Sequence, residues 1–90
     1  MNTRYAASEN VIARTIGDET VLLNIDTEAY FGLNEVGSVV WQSLNNGPLD
    51  TQSIVNAVTE NFDVERTLAA ADVSALLATL LDQGLVQAQP

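Results

Sequence analysis

The chain has 90 residues, with 12 Asp and Glu against three Arg, no Lys, no His and no Cys, and a formal net charge of −9. Those counts exclude a disulfide or thiolate site, a histidine base or ligand, a lysine Schiff base and a phosphate-loop lysine, so catalysis by this chain alone is not expected. They also argue against a nucleic-acid surface, which works by neutralising phosphates with Lys and Arg; Arg4, Arg14 and Arg66 form no patch.

In chain order, Met1 to Ser8 holds one Arg and no apolar stretch of the kind a signal peptide needs, and no apolar run approaches the ~20 residues of a membrane span. A cytoplasmic protein with one domain over residues 1–90 is expected, residues 1–10 being a flexible N-terminal tail. The 47% apolar content is enough for one core. Val11 to Ile16 reads as a first strand. Gly17-Asp18 suits a tight two-residue hairpin turn. Thr20 to Ile25 is a second strand, with Val21, Leu23 and Ile25 on one face by period two. After the polar turn Asp26-Thr27-Glu28, Ala29 to Leu33 is a third strand. It carries Ala29, Phe31 and Leu33 on one face and Tyr30 and Gly32 on the other. A three-stranded antiparallel meander needs a covering layer, and the second half supplies it.

There the period changes from two to between three and four. Asn34 is a suitable N-cap, and Glu35 sits where a helix dipole favours an anion. The first helix is expected over Glu35 to Leu44, with Val36, Val40 and Leu44 as its stripe, widened by Val39 and Trp41. Gly37 inside it is expected where another backbone packs closely. Asn45-Asn46-Gly47-Pro48 ends it. Asp50 or Thr51 caps a second helix running to about Asn61, whose stripe is Ile54, Val55, Val58 and Phe62. Asp63 caps a longer third helix ending near Gln83, with Val73, Leu76, Leu77, Leu80 and Leu81 as its buried side and Gly84 as its C-cap. Leu85-Val86 adds a short strand or packs under the helices. The order predicts an α+β fold: an N-terminal three-stranded antiparallel meander packed on a three-helix unit of winged helix-turn-helix type.

The third strand is the first candidate for function. Two strands of a meander are edges with unpaired N–H and C=O groups. Val11 to Ile16 carries Arg14, which blunts pairing, whereas Ala29 to Leu33 carries no charge and is the better receptor for an added peptide strand. Tyr30, beside the missing side chain of Gly32, is either part of that docking surface or a lone exposed aromatic. Asp72 shares a side of the third helix with Ala69 and Leu76. It is either a solvated or capping carboxylate, or the rim of a groove between that helix and the third strand. The pairs Asp18-Glu19, Asp26-Glu28 and Asp63-Glu65 belong to turns and caps, since nothing suggests the desolvated pocket that acid/base work requires. No D-x-D-x-D-G calcium loop is present, so neither a metal nor a cofactor is expected.

From Val11 to Leu85 the sequence resembles the PqqD-like family of RiPP recognition elements. The resemblance rests on Val21-Leu22-Leu23-Asn24 with Asp26-Thr27, on Tyr30-Phe31-Gly32-Leu33-Asn34-Glu35-Val36-Gly37, and on Val40-Trp41 with Leu44. It continues through Ile54-Val55, Phe62-Asp63-Val64, Asp72-Val73, Leu76-Leu77, Leu80 and Gly84-Leu85. It implies a non-catalytic domain that binds the leader region of a ribosomally made precursor peptide. The leader would add as a strand beside Glu28, Ala29, Tyr30, Phe31, Gly32 and Leu33, against a groove wall of Ala69, Asp72, Val73, Leu76 and Leu80. It also implies an enzyme partner in trans: a radical S-adenosylmethionine enzyme as in pyrroloquinoline quinone formation, or a leader peptidase and cyclase as in lasso peptide maturation. The Phe-Gly-Leu-Asn-Glu pattern looks more like the lasso set. Two other readings share the fold, a winged-helix DNA-binding regulator and a structural module dimerising through the same edge. The missing basic patch opposes the first. A monomer or weak homodimer is expected.

Overall fold

The computed structural model describes residues 3–89. In chain order the elements are β1 (Arg4–Ala7), β2 (Val11–Ile16), β3 (Glu19–Asn24), β4 (Ala29–Leu33), α1 (Glu35–Leu44), β5 (Leu49–Asp50), α2 (Thr51–Asn61), α3 (Arg66–Asp82) and β6 (Val86–Gln89). The expected meander is present as an antiparallel sheet of order β2-β3-β4, followed by the three helices. Gly17 sits at φ +63 in the two-residue turn that closes on the pair Ile16 and Glu19, a backbone conformation that glycine adopts without steric penalty.

The inner face of the sheet differs from a simple apolar stripe. Val21 and Leu23 do share a face, but it is the outer one. The inner face of β3 is Thr20, Leu22 and Asn24, at 1%, 0% and 3% exposure. It is completed by their partners Leu33, Phe31 and Ala29. Asn24 belongs there because every polar group it carries is used. Its Oδ1 accepts from Asn10 Nδ2 at 3.2 Å and from the backbone N–H groups of Asp26 and Thr27 at 3.0 and 3.3 Å. Its Nδ2 donates to the Gln83 carbonyl at 3.1 Å, tying the meander to the end of α3. Strand β3 stops at Asn24, and Ile25, expected within it, lies in the turn and is exposed. Glu28, the last residue of that turn, takes φ +59, a left-handed conformation that is uncommon outside Gly, Asn and Asp.

The helices start as their caps dictate, with one exception. Asn34 Oδ1 accepts from Gly37 N–H at 2.9 Å, and Asp50 Oδ1 from Ser53 N–H at 2.9 Å. Asp63 does not cap α3. The helix begins at Arg66 after Glu65, which makes no side-chain cap bond, and Asp63 stays in the connection. Gly37 is close-packed, but against a side chain rather than a second backbone: a Cβ there would lie 3.1 Å from Leu33 Cδ2. The α3 end is a Schellman motif. Gly84 takes φ +71, its N–H bonds the Leu81 carbonyl at 3.1 Å, and Leu85 N–H bonds the Leu80 carbonyl at 2.9 Å. Leu80 and Leu85 are both buried, supplying the apolar contact that accompanies this motif.

Residues 4–7 correct the expectation of a flexible tail over residues 1–10; Met1 and Asn2 lie outside the described residues. β1 is the centre of a second antiparallel sheet, of order β5-β1-β6. Arg4 pairs with Asp50 on one side and Gln89 on the other, and Ala7 pairs with Val86. The main core joins Leu22 and Leu33 of the meander to Val40, Trp41, Ile54, Val58, Val73, Leu77 and Leu80 of the helices, with Leu85 and Val86 completing it.

Candidate peptide-binding edge

The strand pattern decides which groups of β4 are free. A two-residue hairpin closes on a hydrogen-bonded pair, here Ile16 and Glu19, and such pairs alternate along an antiparallel ladder. Glu19, Val21 and Leu23 therefore turn their backbone groups to β2, and Thr20, Leu22 and Asn24 turn theirs to β4. Their register partners on β4 are Leu33, Phe31 and Ala29. The N–H and C=O groups of Tyr30 and Gly32 consequently point to the other side. Among the described residues β4 pairs with β3 alone, so that side is an open edge.

Exposure follows the same alternation. Tyr30 is 73% exposed, Gly32 is exposed with open space where a Cβ would stand, Phe31 is half-buried and Leu33 is 4% exposed. Glu28 and Ala29 are exposed at the entry to the strand. Nothing on β4 is charged. The other edge strand of this sheet, β2, carries Arg14.

The five α3 residues expected as a groove wall divide into two groups. Asp72 is exposed and Leu76 half-buried, one turn apart on the same side of the helix. Ala69, Val73 and Leu80 are 1%, 1% and 0% exposed and lie in the core. They present no surface to a ligand. Leu81, expected on the buried side, is 37% exposed, and Leu68, which sequence reasoning passed over, is 56% exposed. With Ala71, Ala75 and Ala78 also exposed, α3 is apolar on more than its core side.

The outer face of the meander is apolar as well. Ile12, Arg14, Ile16, Val21, Leu23 and Tyr30 line a shallow depression of about 400 Å³. Ile12 and Ile16 were not singled out in the sequence, although the hairpin register places them beside Leu23 and Glu19. No group of three or more acidic side chains among the described residues is placed to hold a metal ion. Among those residues no helix is long and apolar enough to cross a membrane.

Residues 19–86 match the family of coenzyme PQQ synthesis protein D (PqqD). The chain belongs to the PqqD family. The matched span runs from the first residue of β3 to the first residue of β6, so it includes the open strand, all three helices and the Schellman turn. Two solved structures share the PqqD-like fold. One, described as TbiB1 in complex with the TbiA(beta) leader peptide, is 34% identical, with a TM-score of 0.83 over 91% of this chain and 94% of that one. The other, described as lasso peptide synthetase B1 complexed with the leader peptide, is 26% identical, with a TM-score of 0.77 over 96% and 98% of the two chains. Both are consistent with a PqqD-like RiPP recognition element. Among curated proteins none is significantly similar.

Proposed function

We propose that this PqqD-family protein is a non-catalytic adaptor that binds the leader region of a ribosomally made precursor peptide. The leader adds as a strand to β4, pairing with the N–H and C=O groups of Tyr30 and Gly32. It lies along the surface offered by Asp72 and Leu76 of α3, over the core residues Ala69, Val73 and Leu80. The adaptor then presents the peptide, in the cytoplasm, to a modifying enzyme or leader peptidase of a lasso-type or PQQ-like pathway.

The observation that carries this reading is the uncharged open edge of β4. Main-chain pairing supplies affinity in such strand addition, and flanking side chains supply selectivity. The leader-peptide complexes formed by the two similar proteins support it. The acidic balance of the chain favours a neutral or mildly basic peptide.

A fluorescently labelled leader segment from the precursor encoded beside this protein's gene, titrated by anisotropy, tests the reading. Saturable binding at or below about 100 μM is expected, equivalent to about −5.5 kcal/mol. No binding at that concentration, or sedimentation of a dimer that the peptide neither dissociates nor decorates, would end it in favour of a structural module.

A further inference from the structure

A second site lies away from the peptide edge, where the β2–β3 turn, one side of α1 and the end of α2 meet around a cleft of about 270 Å³. None of its lining residues is on β4 or α3. Its polar side chains are Asp18, Glu35, Ser38, Gln42 and Asn61, each with an oxygen that can accept. Asp18 and Glu35 contribute carboxylates, and no Arg lines the cleft. Asn61 Nδ2 donates to the Ala57 carbonyl at 2.7 Å, which orients the amide and leaves Oδ1 as an acceptor. The α2 C-terminus carries no basic residue in its last turn, so the partial negative charge of that helix end has no counter-charge from the helix itself. Phe62 adds a half-buried aromatic wall.

The floor of the cleft holds the independent observation. Ser38 lines it at 3% exposure, and its hydroxyl is buried without a hydrogen-bond partner. Buried polar atoms are normally satisfied, and an unpaired hydroxyl beneath a cleft is open to a donor entering from it. The complement of two carboxylates, a free amide oxygen, an unpartnered hydroxyl and a ring is a planar group that only donates. A guanidinium fits this description: it has five N–H donors in a fixed fork, its charge does not titrate away, and it stacks on aromatic faces. A metal ion fits poorly, because the set has too few anionic ligands.

We propose that this cleft receives an arginine side chain of a partner polypeptide, held between Asp18 and Glu35 above Ser38. The site is separate from strand addition to β4 and stands or falls independently of it. An arginine with acetylated and amidated ends, titrated into the whole protein and followed by amide NMR shifts, tests it, with the citrulline analogue as an uncharged control of nearly the same shape. Saturable shifts are expected at Asp18, Glu35, Ser38 and Asn61, with a dissociation constant in the millimolar range and at least about fivefold weaker binding of citrulline. The double variant Asp18→Asn/Glu35→Gln is expected to weaken arginine binding by at least about fivefold. The charge-matched double variant Glu9→Gln/Asp82→Asn, at exposed positions elsewhere, changes it by less than about twofold. Shifts that do not saturate by about 50 mM, or equal weakening in both double variants, overturn the proposal and reduce the effect to diffuse attraction by an acidic chain.

Discussion

Replacing Leu80 with alanine is expected to destabilise the protein by about 3 kcal/mol, from lost burial and the cavity left behind. Leu80 is 0% exposed and packs in the core from α3, and its carbonyl receives the Leu85 N–H that closes the Schellman turn. A domain of this size has a total stability of roughly 5–13 kcal/mol, so the loss is a large share of it. The melting temperature should fall by about 10–20 °C, and the urea midpoint by a matching amount, with the buried Trp41 as the fluorescence reporter. The position also discriminates between two roles for the α3 stripe. If Leu80 is core, the folded fraction of Leu80→Ala binds the leader segment as the parent does. A variant of unchanged stability that has lost the peptide would put Leu80 at the surface of the groove instead.

Tyr30→Pro is expected to do the reverse. The Tyr30 N–H faces the open edge, and the bonds that hold β4 to β3 come from Ala29, Phe31 and Leu33. Proline at position 30 therefore removes a donor needed by an incoming strand and puts its ring in that strand's path, while the internal ladder keeps its bonds. Loss of at least about 30-fold in leader affinity is expected, about 2 kcal/mol, with the melting temperature lowered by only a few degrees. Tyr30→Ala separates backbone from side chain. It keeps the N–H and should weaken binding by less than the proline variant. Proline binding within about threefold of the parent would rule out strand addition at this edge.

Much of this architecture was legible because turn residues punctuate the first third of the chain and apolar residues recur at helical spacing afterwards. Where it was not legible, the cause is specific. β1 reads Arg-Tyr-Ala-Ala, a short segment with little intrinsic strand preference, and β6, Val-Gln-Ala-Gln, was expected only as a short strand at Leu85-Val86 or as packing under the helices. They are strands because they find each other and Leu49–Asp50, contacts that no local pattern reveals. The β3 stretch Val21-Leu22-Leu23 is apolar on both faces, so period two identified two faces without saying which is inside. The deciding feature was Asn24, whose buried side chain needs partners from three other segments.

The candidate site shows the same division. The bare strand was readable from the absence of charge in Ala29 to Leu33, and which of its groups face outward follows from the Gly17-Asp18 turn together with the β3–β4 register. On α3, Ala69, Val73 and Leu80 fall on one stripe with the core, and a helix that is apolar nearly all round cannot tell its wall from its back. Only packing separated Asp72 and Leu76 from those three.

The sheet that joins Arg4 to Gln89 has a kinetic consequence. The meander closes through short turns, but β1 and β6 are joined only after nearly the whole chain has been ordered, and the entropy of closing a loop rises with its length. Their pairing is expected to come last in folding, and they are the expected place for the structure to open first. Slower exchange is then expected for the β3 amides than for those of β1 and β6 when each is followed by hydrogen exchange, and equal protection across the two sheets would show a single cooperative unit. Opening of this kind would unpair the two ends while leaving β4 and its free edge in place. The protein would then breathe at the sheet that joins its ends and stay rigid along the open edge of β4.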